Sequence, residues 1–365
     1  MNKGLYVHIP FCKHICGYCD FARGYYNQDL ADKYLISLAK ELSLKDLDGI
    51  ETIYIGGGTP TALSDEQLEK LLKMLSKYNQ KVKEYTIEIN PETLTISKTK
   101  LLSKYKINRA SIGMQVSQKH LLNLIERKHT FLEVKEKVEM LQALGINNIS
   151  IDLMYGIPSQ TLEDLKETLS KIISLNIQHI SLYALTIEPN SKFGLKGYKE
   201  AEADLDADMY EYAVKFLKEN NFDRYEVSSF AKNGFQSMHN KVYWHYQDFV
   251  GVGLNASGKE KSVRYTNTRS LKKYNNFDYQ KDKKILSKND EIFEYIMMNL
   301  RLSEGLNVKD FKQRFNLDFI KKYKQEIEKL VKNKLLVIKD DYVFASDYGL
   351  EILHEVIIEF MMEED

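Results

Sequence analysis

Leu5-Tyr6-Val7-His8-Ile9-Pro10-Phe11-Cys12-Lys13-His14-Ile15-Cys16-Gly17-Tyr18-Cys19 is the stretch on which the reading of this chain turns. Leu5 to Ile9 reads as a short apolar strand, stopped at Pro10, which has no N–H for a sheet ladder. The loop that follows holds all three cysteines of the 365-residue chain. Spacings of four and three residues bring Cys12, Cys16 and Cys19 round a common point on that loop. Three kinds of site suit such a group. One is a disulfide, for which Cys16 and Cys19 make the natural pair. Another is a zinc ion with His8 or His14 as fourth ligand. The third is a [4Fe-4S] cluster whose fourth iron is left open to a small molecule.

Working outward, the strand-then-loop pattern repeats. Tyr34, Leu35, Leu38 and Leu42 form a helical stripe, and Thr52 to Ile55 reads as a second strand that runs into Gly56-Gly57-Gly58. Ser64 followed by Gln67 predicts a capping box ahead of the stripe Leu68, Leu71, Leu72 and Leu75. Further strands are expected at Tyr85–Ile89, Ile107–Ile112, Ile149–Leu153 and Ile180–Leu185, with helix stripes at 131–144 and 162–172 between them. Strands alternating with helices of this length predict an α/β fold with a parallel sheet. The chemically informative residues, namely the cysteines, the glycines, Glu88, Gln115 and Asp152, fall at the C-terminal ends of strands. That placement favours a partial (β/α)6 barrel of the TIM type over a doubly wound sheet.

Residues 1–185 are accordingly expected to form the barrel. Residues 186–287 read as a barrel-associated extension: a long loop over 186–200, a helix over 202–219, a strand over 224–227, and an irregular region from 230 to 275. Near residue 288 the pattern changes to three apolar helical segments and a hairpin around Asp340-Asp341, with a last helix over 349–361. Residues 288–365 therefore resemble a small winged-helix α+β domain.

Lys+Arg and Asp+Glu both number 52, so no global positive field argues for a nucleic-acid partner. No signal peptide and no apolar run long enough to span a bilayer are visible. Together with the sparse cysteines this predicts a reducing cytoplasm, with peripheral membrane contact left open.

Cys-x3-Cys-x2-Cys after a strand resembles the signature of the radical S-adenosylmethionine superfamily. Leu5 to Cys12, Gly56-Gly57-Gly58-Thr59-Pro60-Thr61, Glu88-Ile89-Asn90-Pro91 and Asp152 to Pro158 look like the HemN/HemW family within it, which contains an oxygen-independent coproporphyrinogen III dehydrogenase and a haem chaperone. The resemblance implies a [4Fe-4S] cluster on Cys12, Cys16 and Cys19, with S-adenosylmethionine at the open iron. It implies cofactor contacts from Tyr6, Tyr18, Gly57, Gly58, Thr59, Glu88, Gln115, Arg127, Asp152 and Ala184. The family's dehydrogenases carry an N-terminal extension and a fourth cysteine two residues beyond the third. This sequence starts close to its first strand and has Phe21 at that cysteine's position.

His239-Asn240-Lys241-Val242-Tyr243-Trp244 resembles the HNxxYW motif tied to haem in the chaperone branch, which implies haem contacts from His239, Asn240, Tyr243 and Trp244. His245 is an alternative ligand. The expected task is therefore to bind haem as cargo and deliver it to acceptor proteins, membrane-associated ones included. Oxidation of a porphyrinogen and a zinc-stabilised binding role stand as alternatives. The chain departs from the family's usual pattern at Ser257, where histidine is usual, at Val116-Ser117 after Gln115, and at Glu126, where glycine precedes the arginine.

Overall fold

The structure, a computed structural model, describes residues 3–361. Residues 1, 2 and 362–365, which belong to the expected first and last units, lie outside the described residues. Six parallel strands carry the first half: β1 (Lys3–Ile9), β2 (Ile50–Gly57), β3 (Glu84–Ile89), β4 (Arg109–Gln115), β5 (Asn148–Tyr155) and β6 (His179–Ala184). They are joined mainly by α1 (Gln28–Ser43), α2 (Asp65–Leu75), α3 (Ile96–Lys104), α4 (Phe131–Ala143) and α5 (Leu162–Ile173). Each of these helices starts at a side-chain cap. At α2, Ser64 and Gln67 form the expected reciprocal capping box.

The expected loop region corrects to sheet. After α6 (Ala203–Glu219), β7 (Asp223–Glu226) and β8 (Ser229–Ala231) add antiparallel strands beside β6. A short helix, α7 (Met238–Trp244), then leads to β9 (Phe249–Val252), which pairs in parallel with β1. Three antiparallel strands, β10 (Ser257–Glu260), β11 (Val263–Asn267) and β12 (Gln280–Ile285), continue the edge. The result is one twelve-stranded sheet in the order β12-β11-β10-β9-β1-β2-β3-β4-β5-β6-β8-β7, an open barrel rather than a closed one.

Side chains on a strand alternate between the two faces. Here the outward set is apolar: Ile53, Ile55, Ile87, Ile112, Ile151, Ile180 and Leu182 are buried in one core with Leu68, Leu72, Leu141 and Leu169 of the covering helices. The intervening residues are polar and point inward: Tyr54, Glu88, Arg109, Ser111, Asp152, Ser181 and Tyr183 line a cavity. The packing energy thus sits outside the barrel, and the inside is free to hold a polar ligand.

From α8 (Lys288–Asn299) onward a separate apolar cluster forms, with Ile296, Phe311, Phe319, Ile327 and Val343 at its centre. It includes a three-stranded sheet, β13 (Leu306–Asn307), β14 (Leu336–Lys339) and β15 (Tyr342–Ala345), with β15 in the middle. The expected last helix is broken at Ile352 into two short ones, Asp347–Glu351 and Leu353–Ile358.

Candidate cofactor site

A cavity of about 500 Å³ opens at the C-terminal ends of the parallel strands. It is lined by Cys12, Cys16, Cys19, Tyr18, Gly57, Gly58, Thr59, Glu88, Gln115, Arg127, Asp152, Ala184 and Asn240. The structure therefore gathers the three cysteines and, apart from Tyr6, every residue expected to contact S-adenosylmethionine.

Bonds among these residues fix the cysteine loop. The Arg127 guanidinium reaches three elements: its Nη1 lies 3.7 Å from Cys16 Sγ and donates at 2.9 Å to Asn90 Oδ1, and its Nη2 donates to the Gly113 carbonyl. Asn90 Nδ2 donates in turn to Thr59 Oγ1 at 2.8 Å, and Thr59 Oγ1 lies 3.7 Å from Cys12 Sγ. Two sulfurs are thereby tied to one polar chain that runs across three strand ends. Behind them, Tyr6 shares a 3.0 Å hydrogen bond with His8 Nδ1, and His8 Nε2 lies 2.7 Å from the Ala22 carbonyl. Tyr6 supports the loop from below and does not line the cavity. Gly57 closes over His8: a Cβ there would come within 2.5 Å of the imidazole, and its φ of +116° is open to glycine alone.

The cysteines are free thiols, with Cys12 and Cys16 buried. Burial pushes Cys12 up to about 11, against the hydrogen bond from Thr59. Both ring nitrogens of His8 are engaged away from the sulfurs. Among the described residues no three His, Cys, Asp or Glu gather closely enough to hold a single metal ion. A [4Fe-4S] cluster needs more room than an ion, and the cavity supplies it beside the thiols. The donors also suit it: Arg127 and Thr59 both face sulfurs, where they would stabilise thiolate charge. A Cβ at Gly58 would stand 2.9 Å from Cys12 Sγ, so the glycine lets the backbone pass close under the sulfur. The residues present thus fit a cluster on Cys12, Cys16 and Cys19.

Two carboxylates occupy the next level. Glu88 accepts from Tyr54 Oη at 2.9 Å and from the Gly57 N–H at 3.0 Å. Burial lifts it to about 7, with these bonds opposing and the Asp152 charge reinforcing the rise. Asp152 accepts from Ser111 Oγ at 3.0 Å, and burial raises it as well. These two groups can accept hydrogen bonds from an amine and from ribose hydroxyls.

Glu92 sits beside Arg127 and His129, with its Oε1 3.2 Å from His129 Nδ1. Burial would raise this carboxyl, but the His129 hydrogen bond and the Arg127 charge outweigh it and hold it down to about 2. A depressed carboxylate contributes stability above its ordinary value of 4.5 and loses it as pH falls toward 2. Glu92→Gln is expected to lower stability by about 3 kcal/mol at pH 7, by about half of that near pH 3, and by little below about pH 2. Urea unfolding of both proteins across that range checks it; a gap that does not shrink with acid would refute it.

The HNxxYW residues are divided. Asn240 lines the cavity. His239 lies behind it, 1% exposed, with Nδ1 2.8 Å from Thr52 Oγ1 and Nε2 2.7 Å from Tyr243 Oη. Its ring stacks on Tyr54, with centroids 5.2 Å apart. Neither nitrogen can meet an iron atom until one of these bonds opens. Tyr243 packs on Phe249, and Trp244 lies under the Arg301 guanidinium at 4.6 Å, both away from the cavity. His245 pairs with Glu304 at 3.2 Å on another face.

Among the departures, Glu126 takes φ +60°, the left-handed region that glycine fills without strain, and pairs with Lys192 at 2.5 Å. Ser257 is exposed on β10, sharing a 3.0 Å hydrogen bond with Thr266. Asn90, Arg109, Ser111 and Tyr183 are site residues that the motif reading missed. For Arg109, Ser111 and Tyr183 the signal is the alternation of polar with apolar residues along β4 and β6, as in Arg109-Ala110-Ser111-Ile112-Gly113; Asn90 follows β3 within the segment Glu88-Ile89-Asn90-Pro91.

An open parallel barrel with a three-cysteine loop at its mouth and facing carboxylates defines a radical S-adenosylmethionine protein, and comparison agrees. The profile of the Radical SAM superfamily matches residues 6–172, and that of the HemN C-terminal domain matches residues 286–352. The heme chaperone HemW of Lactococcus lactis subsp. lactis is 36% identical over 98% of this chain and 97% of its own length. Its Bacillus subtilis counterpart is 32% identical over 99% and 100%. The chain belongs to the HemW family. Among solved structures, coproporphyrinogen III oxidase (HemN) from Escherichia coli superposes with a TM-score of 0.86 over 99% of this chain and 90% of that one; at 22% identity this speaks for the fold. Among the described residues no helix is long and apolar enough to cross a membrane.

Proposed function

We propose that this protein is a haem chaperone that binds haem and passes it to acceptor proteins. It carries a [4Fe-4S] cluster on Cys12, Cys16 and Cys19, with S-adenosylmethionine held between the open iron, the Gly57–Thr59 backbone, Glu88 and Asp152. When bound, the cluster supplies an electron to the sulfonium of that cofactor; the chain's own residues hold, orient and shield both. Full-length likeness to proteins named heme chaperone HemW carries the reading. Phe21 supports it: it stands 67% exposed at the cavity mouth, at the position where the dehydrogenase branch carries a fourth cysteine. The working place is the cytoplasm, where acceptors, those at a membrane surface included, are met from the inner side.

Anaerobic reconstitution should yield about four irons per chain, and the EPR signal of the reduced cluster should change when S-adenosylmethionine is added. Titration with haemin should then give a saturable Soret band, and an added apo-cytochrome should draw the haem away. A protein that binds no haemin, or one that turns over a porphyrinogen at an enzyme's rate, would overturn the proposal.

A further inference from the structure

The cavity has a floor as well as a mouth. Arg109 is the first residue of β4 and stands level with Thr86 of β3, which in turn pairs with Tyr54 of β2. At the rise of a parallel strand it lies roughly 13 Å below Gly113, where Arg127 crosses the strand end. Arg109 is 2% exposed, one of the largest fully buried side chains, and it lines the cavity. Its Nε has no hydrogen-bond partner. Glu84 and Asp152 act on it through space, yet among the described residues no carboxylate comes within salt-bridge distance. Glu84 is committed elsewhere, accepting from the N–H groups of Met238 and His239 at the start of α7. A buried guanidinium with unspent donors is costly unless something pairs with it. From α7, Asn240 lines the same cavity and offers an amide donor.

We propose that Arg109 and Asn240 form an anchor for the carboxylate of a ligand that reaches the cavity floor. A guanidinium matches a carboxylate in charge and in its paired donors. The group is a propionate of the tetrapyrrole cargo, which rests on the haem reading above; the methionine end of S-adenosylmethionine belongs to the open iron at the mouth. Glu88 and Asp152 line the wall above the anchor, so an anionic group is favoured at the floor and disfavoured one level higher.

The test uses the full-length, cluster-loaded protein with Arg109→Gln and Arg109→Lys variants. Each is titrated with haemin, haemin dimethyl ester, S-adenosylmethionine and its decarboxylated analogue. With a propionate in the anchor, the parent binds haemin at least tenfold more tightly than the diester. Arg109→Gln then removes that preference, and Arg109→Lys restores part of it. That result supports the anchor. If the Arg109 variants instead weaken S-adenosylmethionine but not its decarboxylated analogue, and leave haemin unaffected, the propionate assignment is overturned. Failure of the parent to bind haemin sinks the haem reading and the anchor with it, whereas haemin bound without preference over the diester sinks the anchor alone. If Arg109→Gln does not fold, the comparison rests on Arg109→Lys. Equal weakening of acid and capped ligands in the folded variants, or no weakening at all, makes Arg109 a structural residue and overturns the proposal.

Discussion

Arg127→Met is expected to fold with a loss of about 3–5 kcal/mol and to retain its cluster poorly after reconstitution. The stability loss follows from what the guanidinium leaves behind. Asn90 Oδ1 and the Gly113 carbonyl lose their donor, and Glu92 loses a buried cation 3.8 Å away. Breaking a buried charge pair from one side commonly costs that much, because the remaining groups stay out of water without partners. The cluster effect has a separate cause: the variant keeps all three sulfurs but removes the positive charge from beside Cys16 Sγ. Arg127→Lys keeps the charge but cannot span Asn90 and Gly113 together, so it should recover cluster retention better than stability. Urea midpoints of the apo-proteins and iron remaining after gel filtration separate the two effects. A methionine variant that matches the parent in both would show that the polar chain across the strand ends does not matter.

Gly251→Ala is the second large effect, and it acts far from the cysteines. Gly251 lies in β9, and a Cβ there would sit 1.9 Å from the Ser257 carbonyl oxygen and 2.6 Å from its carbon. The obstacle is backbone, so no side-chain rotation relieves it. Either β10 moves or β9 slips, and β9 is tied to β1 along four residue pairs. Overpacking of this kind costs about 3 kcal/mol. The expected result is a protein that unfolds early or fails to accumulate, whereas Gly24→Ala, with nothing within 4 Å of the added carbon, should behave as the parent does. Comparable urea midpoints for the two variants would mean that the β9–β10 corner is loose.

The six strand–helix units were legible because each helix shows its buried stripe and cap, and because each strand carries an apolar outward set. Leu68, Leu71, Leu72 and Leu75 illustrate the first, and Ile53 with Ile55 the second. The strands β10 to β12 were not. Gln280–Ile285 is exposed along its whole length, and Ser257–Glu260 has no apolar alternation, so neither burial nor periodicity marks them. They form through backbone pairing on an edge whose lysines also protect it from unwanted partners. The cysteine loop and the strand-end carboxylates were legible from position. The inward polar row, with Arg109 and Tyr183, was not, since a parallel strand is usually read as one continuous apolar run. The HNxxYW segment shows the limit of reading motifs alone. Its histidine is a hydrogen-bonded brace for β2 and α7, and only the next residue, Asn240, faces the cavity.

The pairing of β1 with β9 also sets a timetable. The strand that leads into the cysteine loop remains a sheet edge until residues 249–252 have been made. At translation rates of about 5–20 residues per second, that interval lasts on the order of 10–50 s. During it Cys12, Cys16 and Cys19 belong to an unfinished barrel, open to whatever delivers iron and sulfide. A truncated nascent chain ending before residue 249 should therefore lose a reconstituted cluster readily, and the complete chain should retain it.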